Sequence, residues 1–195
     1  MLANLYLHPL DERMMARGYR MVRYADDFVI LCRSREEADA ALAEVRMWVG
    51  ANGLTLHPDK TRVGDCRQKG EGFEFLGYRF EAGRRWVRKK SLKRFKEAIR
   101  SKTGRTRGGS LMEIAHDLNP MLRGWYAYFK HAHRSTFNEL DGFVRRRLRA
   151  LLRKREKRPG MGRCLDDHKR WNNAFFAGAG LFALYPARLA VRHPR

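Results

Sequence analysis

The 195-residue sequence contains few cysteines, few acidic side chains and no long apolar run. Its three cysteines, Cys32, Cys66 and Cys164, are far apart and not in CxxC spacing. This spacing argues against a disulfide framework or a zinc ribbon and indicates reduced intracellular thiols. No run of about 18 apolar residues exists, so we expect no membrane span. The first residues lack the basic-then-apolar pattern of a signal peptide.

Acidic residues are outnumbered two to one by basic ones. The sequence has 21 Asp and Glu residues against 42 Lys and Arg residues, which makes the formal net charge +21. Residues 1–64 hold nine basic and nine acidic side chains, whereas residues 65–195 hold 33 basic and 12 acidic ones. A bias of this size indicates a polyanionic partner, and nucleic acid is the usual one. We therefore expect an ordinary globular part followed by a polyanion-binding part.

The first 90 residues predict an α+β layer, because helical periodicity alternates with β-rich runs. The continuously apolar run 28–32 predicts a strand that is covered on both faces. The expected elements are a helix over 2–17, strands over 19–25 and 28–33, a helix from the Ser34 and Glu37 capping box to Asn52 and Gly53, a strand over 54–57, and a hairpin over 73–88 that turns at Ala82 and Gly83.

The remainder predicts an all-α bundle and a basic tail. Three further N-terminal caps are read from Ser91, from Ser110 with Glu113 and from Thr136 with Glu139. They begin a basic helix over 92–102, a helix through Leu118, and a long helix with apolar residues on one stripe; a separate helix over 121–133 is expected after Pro120. Residues 159–195 form the tail, which contains the apolar patch "FFAGAGLFALYPA".

Two adjacent carboxylates, Asp26 and Asp27, stand between the two apolar strands. Like charges at a tight strand junction repel each other unless a cation neutralises them, and hard cations such as Mg²⁺ prefer carboxylate oxygen. The alternative interpretation is a solvent-facing turn that merely favours Asp. A second pair, Asp166 and Asp167, lacks apolar flanks and is interpreted as a solvated surface pair.

The sequence around this pair, "YADDFVIL" (24–31), resembles the catalytic hairpin of reverse transcriptases, in the form found in group II intron reverse transcriptases, or maturases. Four further stretches are similar to blocks of that family, in family order and at about family spacing. They are "LANLYLHPLD" (2–11), "GLTLHPDKT" (53–61), "FEFLGYRF" (73–80) and "LRGWYAYFK" (122–130).

The resemblance implies a role for each matching residue. Asp26 and Asp27 would be catalytic carboxylates that ligate Mg²⁺, and two such ions can clamp the oxygens of a phosphoryl transfer. Tyr24 would lie near the incoming nucleotide or the primer end. Lys60 would approach the leaving pyrophosphate, unless it is only a surface charge. The hairpin that grips the primer would comprise Phe75, Leu76, Gly77 and Tyr78, whose aromatic rings would equally suit a plain core.

The family also uses a third carboxylate on a strand well upstream of the hairpin, and the sequence begins too late to include it. We therefore expect the C-terminal portion of a longer polymerase: a split, truncated or mis-started reading frame that is inactive as a polymerase by itself. A separate N-terminal polymerase fragment is then an expected partner.

The basic half would bind intron RNA and the template–primer duplex. Arginine and lysine neutralise phosphates, and aromatic side chains stack on unpaired bases. The run 145–158 is so rich in one charge that we expect a polyanion to lie against it. The alternative to base stacking for Trp125 is a position in the core of the helical bundle. The candidate RNA-binding residues are Arg123, Trp125, Tyr126, Lys130, Arg145, Arg146, Arg149 and Arg153.

The sequence thus predicts an α+β fold with three parts: the C-terminal part of a polymerase palm (1–90), a helical maturase or thumb domain (91–158) and a basic tail (159–195). The predicted function is that of a fragment which binds intron RNA and contributes two Mg²⁺-binding carboxylates to RNA-directed DNA synthesis. Its expected location is the cytoplasm of a bacterium, in association with RNA or the nucleoid. One alternative is a non-catalytic RNA-binding splicing factor. A general basic DNA-binding protein is another, but it leaves the hairpin unexplained.

Overall fold

The structure is a computed structural model that describes residues 2–190. Met1 and residues 191–195, the end of the predicted tail, lie outside the described residues. The helices are α1 (Leu2–Ala16), α2 (Arg35–Ala51), α3 (Lys89–Lys102), α4 (Leu111–Phe129), α5 (Arg134–Arg155), α6 (Leu165–Arg170), α7 (Asn173–Gly178) and α8 (Leu184–Ala190). The strands are β1 (Arg20–Tyr24), β2 (Asp27–Leu31), β3 (Phe73–Phe75), β4 (Tyr78–Glu81) and β5 (Arg84–Val87). They form two small antiparallel sheets, which confirms the α+β class.

The chain divides into two compact units, one ending at Gly83 and the other beginning at Arg84. In the first unit, α1 and α2 pack together with the hairpin formed by β1 and β2. Both Arg13 and Arg17 form ion pairs with Glu44, which is only 5% exposed, and so tie α1 to α2. The buried core of this unit comprises Leu10, Met14, Ala41, Val45, Trp48 and Val49.

The first unit departs from the sequence prediction in its short strands. Residues 54–57 are irregular rather than a strand, because their backbone bonds serve the neighbouring turns: the Leu54 N–H donates to Val49 O (2.9 Å), and His57 O accepts from Thr61 N (3.0 Å). The predicted long strand over 73–80 is in fact two strands. Leu76 and Gly77 both have positive φ (48° and 79°), as a two-residue hairpin turn requires.

The prediction that β2 is covered on both faces is also wrong within the described residues. Phe28, Val29 and Ile30 are only half-buried, and Leu31 is 50% exposed. The reason is one-sided packing: Phe28 and Ile30 pack against the core formed by α1 and α2, whereas Val29 and Leu31 on the other face do not contact that core.

The second unit is a helical bundle whose helix boundaries were only partly predicted. Ser110 and Glu113 form the expected reciprocal capping box at the start of α4. Ser91, in contrast, lies inside α3, which begins at Lys89 without a side-chain cap. Thr136 lies inside α5, where the side chain of His133 accepts from the Ser135 N–H.

Pro120 does not separate two helices, since α4 runs continuously from Leu111 to Phe129. A proline inside a helix costs about 3 kcal/mol through its missing hydrogen bond and its ring. Leu118 and Leu122, on either side of it, are both fully buried, and each contributes about 1.5–3 kcal/mol. Burial of both leucines in one core therefore outweighs the cost of the proline.

The described part of the tail packs against the bundle. Asp141 of α5 is buried and accepts hydrogen bonds from the Leu184 and Tyr185 N–H groups at the start of α8, both at 2.9 Å. Arg153 donates to both oxygens of Asp167, at 2.7 and 2.8 Å. The side chain of Asp167 is fully buried, so its interpretation as a solvated residue is wrong. Between residues 2 and 190, no helix is both long and apolar enough to cross a membrane.

Candidate polymerase site and basic surface

The two candidate metal ligands lie at the tip of the hairpin formed by β1 and β2. The strand register pairs Tyr24 with Asp27, which leaves Ala25 and Asp26 as a two-residue loop. Asp26 and Asp27 are exposed, and Tyr24 is 66% exposed. Directly opposed residues in an antiparallel pair project from the same face, so Tyr24 stands beside Asp27. The hairpin thus brings together one aromatic ring and two carboxylates in contact with solvent.

The tip has a strained backbone that a neighbouring arginine supports. Ala25 has φ +56°, a conformation that costs a residue other than glycine about 1–3 kcal/mol. Arg23 donates from Nη1 to Ala25 O (2.8 Å) and to Asn4 Oδ1 (3.0 Å). Its Nε donates to Asp11 Oδ1 at 2.8 Å. Arg23 therefore links the tip to α1 at two positions, Asn4 and Asp11.

Pairing shifts the pKa values of both Arg23 and Asp11. The hydrogen bond from Arg23 lowers the pKa of Asp11, and the same bond raises the pKa of Arg23. The Arg23 side chain is 9% exposed and that of Asp11 is 33% exposed, so the pair is partly shielded from water. Both groups stay ionised at neutral pH, which keeps the support in place. Sequence reasoning missed this role, although Asp11 belongs to the "LANLYLHPLD" block.

The residues at the tip fit a magnesium site in part. Neither Asp26 nor Asp27 has a side-chain hydrogen bond or ion pair within residues 2–190, so both carboxylates are available for a cation. Mg²⁺ commonly takes only one or two protein carboxylates together with water and substrate phosphates. However, the described residues contain no cluster of three His, Cys, Asp or Glu side chains that could hold a metal ion. The tip therefore supplies two ligands of the right chemistry.

The other predicted polymerase residues lie on separate turns of the first unit. Lys60 is exposed in the turn after α2, where its backbone N–H donates to His57 O at 3.3 Å. Leu76 and Gly77 form the turn between β3 and β4, and Phe75 and Tyr78 pair directly across it. Strand β3 lies beside β2, which brings the two hairpins into contact.

The arginine-rich run of α5 is largely engaged within the protein. Arg147 donates to Thr103 O (2.7 Å), and Arg155 donates to Gly109 O (2.6 Å). Arg153 pairs with Asp167. The expectation that this helix repels itself unless a polyanion covers it is therefore too strong, because intramolecular acceptors already hold several of its charges.

The candidate RNA-binding residues fall into two groups by their surroundings. Arg123 and Lys130 are exposed, and Arg145 and Arg146 are half-buried. The remaining four are packed within the unit: Trp125 stacks on Phe95 (4.4 Å between centroids), Tyr126 donates from its hydroxyl to Ala187 O (2.9 Å), Arg149 is 4% exposed, and Arg153 is paired. Burial raises the pKa of Tyr126.

Charge nevertheless accumulates on one side of the bundle. Lys96, Arg100 and Arg146 all approach the ring of Phe143, at 5.8, 5.3 and 5.3 Å from its centroid. Burial, followed by the charges of Arg100 and Arg146, lowers the pKa of Arg147. Like charges brought this close favour a bound anion.

Two protein-family models match the chain, one mainly in each of the two units. Residues 1–80 match the family described as reverse transcriptase (RNA-dependent DNA polymerase), which defines the class of the first unit. Residues 92–171 match the group II intron, maturase-specific domain. The chain therefore belongs to the group II intron reverse transcriptases and maturases. Among curated proteins, none matches it.

Proposed function

We propose that the chain binds intron RNA through its second unit and contributes Asp26 and Asp27 to a magnesium-dependent site for RNA-directed DNA synthesis. The observation that supports the polymerase role is the exposed pair of unpartnered carboxylates at a supported hairpin tip. The match to the reverse transcriptase family over residues 1–80 agrees with it. A cytoplasmic location in a bacterium, with RNA or the nucleoid, goes with this proposal.

The chemistry assigns a distinct task to each residue of the tip. Asp26 and Asp27 would hold Mg²⁺, which supplies charge stabilisation for the oxygens of the reacting phosphate when it is bound. Tyr24 would orient the primer end or the incoming nucleotide. Lys60 would place its ammonium near the leaving pyrophosphate, and the turn at Leu76 and Gly77 would position the primer.

Metal binding at the tip is tested with Mn²⁺ as a spectroscopic substitute for Mg²⁺. In the 195-residue chain, Mn²⁺ should broaden the amide signals of residues near Asp26 and Asp27 first. Asp26→Asn should weaken this effect, because the amide keeps the shape and loses the charge. Asp59→Asn, on an exposed turn, is the matched control. Broadening that is unchanged in Asp26→Asn would remove the metal site from the proposal.

Activity is tested by primer extension on an RNA template. The chain alone should give no measurable DNA product, because two carboxylates hold the metals poorly without a third. Addition of an N-terminal polymerase portion that carries the third carboxylate should restore synthesis, and Asp26→Asn should then abolish it. Synthesis by the chain alone, or by the reconstituted Asp26→Asn enzyme, would contradict these assignments.

RNA binding is tested separately by titration at several salt concentrations. Because the excess charge lies in residues 65–195, affinity for a structured RNA should fall steeply as salt rises. Asp26→Asn should not weaken this binding. A non-catalytic RNA-binding splicing factor, in which the first unit is only a scaffold, is the second candidate. Splicing activity without DNA synthesis in the reconstituted protein would select that candidate.

A further inference from the structure

A pocket of about 340 Å³ lies in the second unit, where the middle of α5 meets the segment that forms α6 and the start of α7. Its volume is at the small end of the range for ligand sites. Four of its eight lining residues are arginines, and none is acidic. The residues on which the argument depends are Gly142, Arg145, Arg146, Arg149, Arg163 and His168.

Arg149 is the central residue of this pocket. It is 4% exposed, and its only hydrogen bond within residues 2–190 runs from Nε to Trp171 O at 2.9 Å. Its guanidinium lies over the ring of Phe176, 5.5 Å from the centroid. Both Nη groups are therefore without a hydrogen-bond acceptor in the described protein. These groups are not among the fully enclosed unsatisfied atoms of the described residues, so they open on to the pocket, where water or an anion can accept from them.

Arg149 forms no ion pair with any described residue. Arg145 is nearest to Asp141, at 3.9 Å, but both oxygens of that carboxylate already accept from the start of α8. Asp167 is taken up by Arg153. Arg163 and the ring of His168 have no partner among the described residues. Burial and the charge of Arg145 lower the pKa of Arg149, and the charge of Asp167 offsets part of this shift.

We propose that this pocket binds one phosphate group of the RNA backbone. The inference rests on the proposed RNA binding and adds the group that is recognised and the place where it is held. Guanidinium forks match the geometry of phosphate oxygens and form strong, paired hydrogen bonds with them. Arg145, Arg146 and Arg149 lie within about one turn of α5, and Arg163 belongs to the segment before α6, so two parts of the chain supply donors to the pocket. Arg149 thus has a binding role in addition to packing.

Gly142 provides a way to fill the pocket selectively. A Cβ placed on it would meet no atom within 4 Å, so a longer side chain fits there. Gly142→Glu would deliver a carboxylate to the arginines and compete with phosphate, whereas Gly142→Gln has the same shape without the charge. Met112, which is 67% exposed on α4, provides the control pair Met112→Glu and Met112→Gln with the same change in charge.

The first measurement is the affinity of the full chain for a structured RNA hairpin. Gly142→Glu should bind at least tenfold more weakly than Gly142→Gln, whereas the two Met112 variants should differ less than threefold. The slope of log affinity against log salt should fall by about one for Gly142→Glu, as for loss of one phosphate contact. Equal effects at positions 142 and 112 would overturn the proposal. Preference of the pocket for the DNA hairpin of the same sequence in competition would overturn the assignment to RNA.

The second measurement does not depend on RNA. Pyrophosphate should raise the thermal midpoint of the wild-type chain above that in chloride of equal ionic strength, because a ligand of the folded state stabilises it. Gly142→Gln should retain this increase and Gly142→Glu should lose it. No increase in the wild type, or the same increase in Gly142→Glu, would overturn the pocket. An increase that Gly142→Glu abolishes, in a chain that fails to bind RNA, would support the anion pocket and refute the proposed RNA binding.

Discussion

Replacement of Asp141 by alanine tests whether the described tail is an integral layer of the helical bundle. The buried carboxylate accepts two backbone hydrogen bonds from the start of α8, and hydrogen bonds to a charged group contribute about 1.5–3 kcal/mol each. Burial opposes this gain, because it raises the pKa of Asp141 despite the two donors. We therefore expect Asp141→Ala to lower the free energy of unfolding by about 2–3 kcal/mol, less than the two bonds would contribute alone.

The assay is urea denaturation, followed by hydrogen exchange at the Leu184 and Tyr185 amides. With a slope of about 2 kcal/mol/M, the urea midpoint should fall by about 1 M. Asp141→Asn retains one acceptor oxygen, so its urea midpoint should fall by about half as much. Asp166→Asn, at an exposed carboxylate of α6, is the control and should leave the midpoint close to that of the wild type.

The pH dependence has a definite sign. The folded-state pKa of Asp141 is raised above its ordinary value of 3.8, so the folded chain binds this proton more tightly than the unfolded chain. The ionised form is therefore less favourable to folding than the protonated form, although it still accepts both hydrogen bonds. The wild type should gain stability relative to Asp141→Asn as pH falls through the folded pKa. An unchanged midpoint in Asp141→Ala, or unchanged protection of the α8 amides, would refute the proposed attachment of the tail.

Three further predictions concern single substitutions. Ala25→Gly should raise the stability of the first unit by up to about 1 kcal/mol, because glycine accepts φ +56° without strain. Urea unfolding of this unit can be followed by the fluorescence of Trp48, the only tryptophan before Gly83. A loss of stability would contradict the strain at Ala25. Leu118→Ala should cost about 2–5 kcal/mol by leaving a cavity in a fully buried site, and a near-neutral midpoint would count against the continuous α4. Gly72→Ala should destabilise the first unit by about 1–3 kcal/mol or more, since its Cβ would clash with Phe80 O. A wild-type thermal midpoint would disprove this close approach.

Interactions between residues close in the sequence were sufficient to predict several local features of the fold. The alternation of β-rich runs around Asp26 and Asp27 predicted the hairpin and its tip, because strand propensity and turn preference act over a few residues. The capping box of Ser110 and Glu113 was also predicted from the sequence, since both partners lie in one turn of helix. The order of the family blocks indicated the family over most of the chain. The roles of individual residues in catalysis and RNA binding stay predictions.

Long-range packing decided the rest. Residues 54–57 have the alternation of a strand but pair with no strand among the described residues, and a strand requires a neighbour. Pro120 reads as a helix boundary, yet burial of leucines on both sides of it outweighs the local cost. Asp167 reads as a surface residue, and only its pairing with Arg153, 14 positions earlier in the sequence, explains its burial.

The same distinction separates the two candidate sites. The carboxylates of the hairpin tip are neighbours in the sequence, so their proximity follows from covalent connection and turn geometry. The basic pocket combines α5 with a segment that begins only at Gly162, and no local pattern indicates that Arg149 lacks acceptors beside Arg163. A charge run in the sequence does not distinguish arginines that packing has already satisfied from those it leaves available. That distinction depends on which distant carbonyls and carboxylates the folded chain brings within hydrogen-bond distance, and only the tertiary structure determines this.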